Sequence, residues 1–162
     1  MRVEDQRQRR LVMKKNGNNK AKYRRLRQID SKNTKVLKKI IKLYGWPNFD
    51  LVGEETAHSF WLLVQHADHD HSFQHKCLDL ITKAAGEQQA TLKDVAYLTD
   101  RLLVADNKKQ KFGTQFIVKD QKLILRPVVN PKLLDKRRRE FGLSTMREYL
   151  KSANEAFKKY SS

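Results

Sequence analysis

The chain has 162 residues, enough for one domain with a substantial core and too few for two comfortably separate ones. Apolar residues make up 39% and charged residues 33%, and no apolar run approaches the roughly eighteen residues a membrane helix needs. The formal charge is +17, which points toward phosphate-rich or acidic partners, and charged residues after Met1 exclude a secretory core there, leaving cytoplasmic residence as the default expectation.

The charge is uneven. Residues 1–42 hold sixteen Lys or Arg against three acids, whereas residues 43–162 hold nineteen against fifteen. This separates a basic helical N-terminal arm, 1–42, from a core, 43–162, the two expected to make one structural domain. Residues 3–15 and 20–28 read as helices separated by the turn signal Asn16-Gly17-Asn18-Asn19. Asp30 or Ser31 then caps a helix with Val36, Leu37, Ile40, Ile41 and Tyr44 on one stripe, stopped by Gly45 and Pro47, with Trp46 as a corner anchor.

A helix over 53–67 points Ala57, Phe60, Trp61 and Val64 inward and breaks at Asp68-His69-Asp70. The next, 71–85, uses Phe73, Cys77, Leu80, Ile81 and Ala84 and is closed by Gly86. Cys77, the single cysteine, can make no internal disulfide and reads as a buried structural thiol. Thr91 with Asp94 resembles a capping box opening a helix over 92–105. The texture then changes: 112–119 and 123–128 alternate and are rich in β-branched residues, predicting a hairpin turning at Asp120-Gln121. Asn130-Pro131 starts another helix, Gly142 ends it, and Ser144 caps a last amphipathic one. The expected fold is mainly α, six or seven helices with one β-hairpin near 112–128.

All five histidines lie between His58 and His75. His66 has an ordinary pKa near neutrality, which suits a general acid or base, and Asp70 four residues later would orient it. His66, Asp68 and Asp70 also offer the donors a divalent metal uses, although positions two apart on a helix diverge unless the helix breaks. Gln65 and Gln74 adjoin apolar positions, so partial burial with hydrogen-bond partners is expected. Asp100-Arg101 ends an otherwise apolar helix, where Arg101 would pair with an acid or grip an anionic ligand. Gln110 and the run Phe112-Gly113-Thr114-Gln115 place a glycine where backbone can approach closely. Walker, GxSxG, HExxH, CxxC and GxGxxG motifs are lacking, which disfavours the familiar catalytic classes.

The ordered set Gly-Trp-Pro at 45–47, Val-Gly at 52–53, Gln-His-Ala-Asp at 65–68, Phe-Gln at 73–74, Leu-Thr-Asp-Arg at 98–101, Gln110 with Phe-Gly-Thr-Gln at 112–115, Arg-Arg before Gly-Leu at 142–143, and Tyr149-Leu150 looks like a bacterial family named domain of unknown function 6624. The resemblance runs from about Asp5 to Leu150; relatives more often carry Tyr where this chain has Phe112. It implies that Gln65, His66, Asp68, Asp70, Gln74, Asp100, Arg101, Gln110, Thr114 and Gln115 belong to the family pattern and are candidates for one shared site.

The expectation that follows is an uncharacterised protein whose polar pocket binds or acts on a small polar or anionic ligand, with hydrolysis or group transfer favoured. His66 is its acid or base, and Arg101 binds an anionic group. Asp70 orients His66, or joins Asp68 and His66 around a divalent metal. Gln65, Gln74, Asp100, Gln110, Thr114 and Gln115 align the ligand. The rival is a non-enzymatic nucleic-acid binder using residues 1–42, with Tyr23 as the sole aromatic before Tyr44 and so little provision for base stacking.

Overall fold

A computed structural model describes residues 19–161. Among them are seven α-helices, one 3-10 turn and one two-stranded antiparallel hairpin, a mainly α protein. No described helix is long and apolar enough to cross a membrane. The chain divides into two compact units, the first ending at Ala90 and the second beginning at Thr91.

The first unit contains α1 (Asn19–Tyr44), the short α2 (Phe49–Val52), α3 (Glu54–Gln65) and α4 (His71–Gly86). The two helices expected at 20–28 and after Asp30 or Ser31 are one. Leu26, Asn33, Thr34, Leu37 and Ile41 form a single buried face running past both residues, so no cap is needed there. Thr34 Oγ1 even donates to the Asp30 carbonyl inside the helix, at 2.8 Å. The stripe is also rotated from the expected one, leaving Val36 38% and Tyr44 68% exposed. The helix expected at 3–15 lies outside the described residues.

Gly45 does end α1, Trp46 is buried edge-on to Phe60 at 5.4 Å, and α3 packs against both α1 and α4. Ala57, Phe60, Trp61 and Val64 of α3, with Phe73, Cys77, Ile81 and Ala84 of α4, are buried as expected. Burial pushes the Cys77 thiol up to about 12, which makes it inert. Gly86 does not close α4: it is the last helical residue, and the left-handed turn falls at Gln88, φ 59°.

The second unit contains α5 (Leu92–Ala105), β1 (Phe116–Lys119), β2 (Lys122–Leu125), a 3-10 turn at Pro131–Leu133, α6 (Leu134–Glu140) and α7 (Met146–Ser161). Thr91 caps α5 by accepting from Asp94 N at 3.0 Å. The strands pair from Phe116↔Leu125 to Lys119↔Lys122, and Asp120 and Gln121 both take positive φ, the geometry a two-residue hairpin turn needs. Residues 112–115, expected in the first strand, are loop. Asn130-Pro131 opens a 3-10 turn before α6 rather than α6 itself.

Gly142, at φ +67°, lets Leu143 N reach Arg138 O and Gly142 N reach Arg139 O, the paired bonds of a Schellman stop. Thr145, not Ser144, caps α7. Its hydroxyl accepts from Glu148 N while its own N–H and hydroxyl donate to the Glu148 carboxylate at 2.9 and 2.8 Å.

Candidate functional site

The residues singled out from sequence divide between the units. Gln65, His66, Asp68, Asp70 and Gln74 belong to the first, and Asp100, Arg101, Gln110, Thr114 and Gln115 to the second.

In the first unit, α3 ends at Gln65 with His66 as its C-cap, leaving terminal carbonyls without intrahelical donors. Gln74 supplies one. It is 1% exposed, and its Nε2 donates to Val64 O at 3.0 Å, with longer bonds to Gln65 O and Asp68 Oδ1. Gln74 thereby binds the start of α4 to the end of α3. Asp70 caps α4 through Oδ1, which accepts from Phe73 N at 3.1 Å, and Oδ2 forms an ion pair with Lys38 of α1. The hydrogen bond from Lys38 holds the Asp70 carboxyl below its ordinary value of 3.8, against the opposing effect of partial burial. Lys38 Nζ also stands 5.6 Å over the Phe73 ring. His66 is half-buried, and Asp68 is exposed at the break. Among the described residues no group of three His, Cys, Asp or Glu side chains is placed to hold a metal ion.

In the second unit, Asp100 is fully buried and accepts from the backbone N–H groups of Lys111 (2.6 Å), Phe112 (3.0 Å) and Thr114 (2.9 Å), and from Thr114 Oγ1 (3.0 Å). Gln110, also fully buried, donates to Gln115 O and Arg126 O and accepts from Gln115 N at 2.9 Å. Gln115 Nε2 donates to Thr114 Oγ1, and Tyr149 donates its hydroxyl to Thr114 O. Asp100, Gln110, Thr114 and Gln115 are therefore brought together, and the bonds they make fold the 110–115 loop. Gly113 belongs to this clasp: at φ +71°, a Cβ there would meet Met146 Sδ at 3.0 Å. Arg101 is half-buried on α5.

Sequence reasoning missed the other half of the clasp. Arg138 is 1% exposed; its Nε donates to Ser144 O, its Nη1 to Phe112 O, and its guanidinium lies 4.8 Å from the Tyr149 ring. Burial pulls its pKa below the ordinary arginine value and raises that of the Tyr149 hydroxyl. Arg137 beside it donates to Lys111 O and to the carbonyls of Val129 and Asn130. Two signals were available: phase, since Arg138 follows the buried Leu134 by four residues on α6, and the ordered set of segments, which includes Arg-Arg before Gly-Leu and Tyr149.

The remaining concentrated chemistry is charge on α1, where ten Lys or Arg stand against the single Asp30. Lys20, Arg24, Arg27, Lys35, Lys39 and Lys42 are all exposed and share the face opposite Leu26, Asn33, Leu37 and Ile41. Arg24, Arg27, Gln28, Ser31, Lys32 and Lys35 line an open groove of about 400 Å³ along it.

The family model described as Family of unknown function (DUF6624) matches residues 1–160. No curated protein and no solved structure matches the chain.

Two stability measurements check these roles. Replacing Asp100 with Ala strands buried donors of the 111–114 loop and should cost about 3 kcal/mol or more, read as a shift in the urea midpoint. A loss under about 0.5 kcal/mol would show that the clasp is not structural. Asp70→Ala should cost about 1 kcal/mol through the lost cap. Because folding depresses the Asp70 pKa, its ion-pair contribution is complete above pH 3.8 and disappears as pH falls through the lower folded value. Unfolding curves for wild type and Asp70→Asn should therefore differ at pH 6 and converge in strong acid; a gap independent of pH would remove the charge from the account.

Proposed function

We propose that this chain, which belongs to the DUF6624 family of unknown function, is a non-enzymatic nucleic-acid-binding protein that holds the phosphate backbone along the outer face of α1. The supporting observation is the exposed basic stripe from Lys20 to Lys42. At 1.5 Å per residue it is about 33 Å long, close to one turn of duplex DNA. Like charges four apart, such as Lys20 with Arg24 and Lys35 with Lys39, each weaken the helix by a few tenths of a kcal/mol. A polyanion relieves that repulsion and releases its own condensed cations, which makes binding favourable without reading bases. The exposed aromatics of α1, Tyr23 and Tyr44, lie 21 residues apart and offer no interleaved stacking platform, so the affinity is electrostatic and tolerant of sequence.

Fluorescence anisotropy with a short duplex across a salt series tests this. With about five phosphates neutralised, log K against log salt should fall with a slope of about −4 to −5. Arg24→Gln, Arg27→Gln and Lys35→Gln together should flatten the slope by about three units without moving the thermal midpoint. No binding at about 50 mM salt, or a slope indifferent to these changes, overturns the reading.

A second reading, a small anionic ligand bound beside His66 as acid or base, draws support from one observation. Gln65 is 5% exposed, and its Nε2 makes no hydrogen bond with the described residues. A ligand oxygen would satisfy that donor. If the amide is kept for a ligand, Gln65→Met should leave the ligand-free protein as stable as wild type or more so, by up to about 1 kcal/mol. A clear drop in the melting midpoint would mark the amide as structural instead.

A further inference from the structure

The basic stripe ends in a feature that a solvated charged helix does not require. Between α1 and α4 lies an open groove of about 330 Å³ lined by Lys38, Ile41, Lys42, Asp70, Ser72, Phe73 and Lys76. Its floor is the buried pair Ile41 and Phe73, and its rim carries three ammonium groups and the exposed Ser72. The one acid is already committed: Asp70 Oδ1 accepts from Phe73 N and Oδ2 is paired with Lys38. Among the described residues neither Lys42 nor Lys76 has a carboxylate partner within ion-pair distance. The groove thus holds two uncompensated cations from different helices on a rigid apolar base, with one cation and one anion cancelling each other beside them.

We infer that this groove is a seat for a phosphate group, held by the Lys42 and Lys76 ammonium groups with Ser72 Oγ as a hydroxyl donor. Lys38 is not part of the grip; it keeps the Asp70 carboxylate neutralised, so the seated anion meets no net repulsion. A phosphate fits better than a carboxylate because its several oxygens can face ammonium groups on opposite walls together. The inference deepens the nucleic-acid reading, on which it rests for the source of the phosphate, by giving the polymer one anchored position at the Lys42 end of α1. Lys76 belongs to α4 and is no part of the α1 stripe, which makes it the discriminating residue.

Two measurements on the full chain test it. In the first, inorganic pyrophosphate is titrated while backbone amide NMR shifts are followed in wild type and Lys76→Gln. Saturable shifts at Ser72, Phe73 and Lys76, weakened at least fivefold in affinity by Lys76→Gln, are the expected result. Shifts spread evenly over all lysine-bearing segments, or unchanged by Lys76→Gln, overturn the seat. In the second, the salt slope for the duplex should fall by about one unit in Lys76→Gln, and 5′-phosphorylated and 5′-hydroxyl strands show whether a terminal or an internal phosphate is preferred. Should the wild type bind pyrophosphate in the groove yet ignore polymers, the polymer reading fails and the seat stands. Should it bind polymers with a slope unaffected by Lys76→Gln, the seat fails and the stripe stands.

Discussion

The buried carboxylate of Asp100 is the constraint around which the second unit is organised. A loop that dives into a protein interior carries backbone N–H groups away from water, and each must find an acceptor or cost a few kcal/mol. The 111–114 segment makes that descent, with Phe112, Gly113 and Thr114 all buried. One carboxylate answers three of its N–H groups and a hydroxyl. Arg138 acts from the opposite sense, donating to the Phe112 carbonyl, so both polar groups of that residue's backbone are satisfied by side chains of opposite charge. The Phe112 ring is then left to pack at 4.5 Å from Phe141. Removing either side chain would leave a polar group of the buried Phe112 backbone without its partner, which is why neither substitution alone is expected to be tolerated.

The first unit solves a smaller version of the same problem. The end of α3 offers carbonyls that its own helix cannot use, and Gln74 brings an amide to them from the next helix. Asp70 serves the first turn of α4 and reaches α1 through Lys38. Polar side chains with a ligand-binding look are, at Gln74, Asp70, Asp100, Gln110 and Thr114, the means by which helix ends and a buried loop are closed. A pattern of buried polar residues is equally what such an architecture demands and what a binding site demands, and only the hydrogen-bond partners separate the two.

This explains what could be read from the chain in advance. Features with a local cause were legible: the stop at Gly45, the Thr91 cap, the two-residue turn at Asp120-Gln121, and the amphipathic faces of α3, α4 and α5. Errors arose where a local signal competed with a longer one. Asp30-Ser31 is a good cap in isolation, but a buried face continuous from Leu26 to Ile41 overrides it. Ser144 and Thr145 are both cappers, and Glu148, three residues after Thr145, decides between them. Residues 112–115 alternate like a strand, yet Asp100 takes the N–H groups a partner strand would have used. Arg138 stands out only within the Arg-Arg pair of the family resemblance and not as a buried group, because the run Lys136–Arg139 reads by composition as a solvated face. Its burial depends on where the 110–115 loop is carried, a long-range outcome.

The division between charges consumed inside and charges left outside also bears on function. Asp100, Arg138, Asp70 and Lys38 are each matched by hydrogen bonds or an opposite charge within the fold. Within α1 itself Asp30 is the only acid against ten Lys or Arg, and repulsion between lysines four apart works against the helix that displays them. Solubility alone would be served as well by mixed charges, which support a helix instead of straining it. A one-signed face about a full duplex turn in length is what the proposed polyanion would match in length and sign. In the proposed reading, that partner would supply the counter-charge that α1 itself lacks.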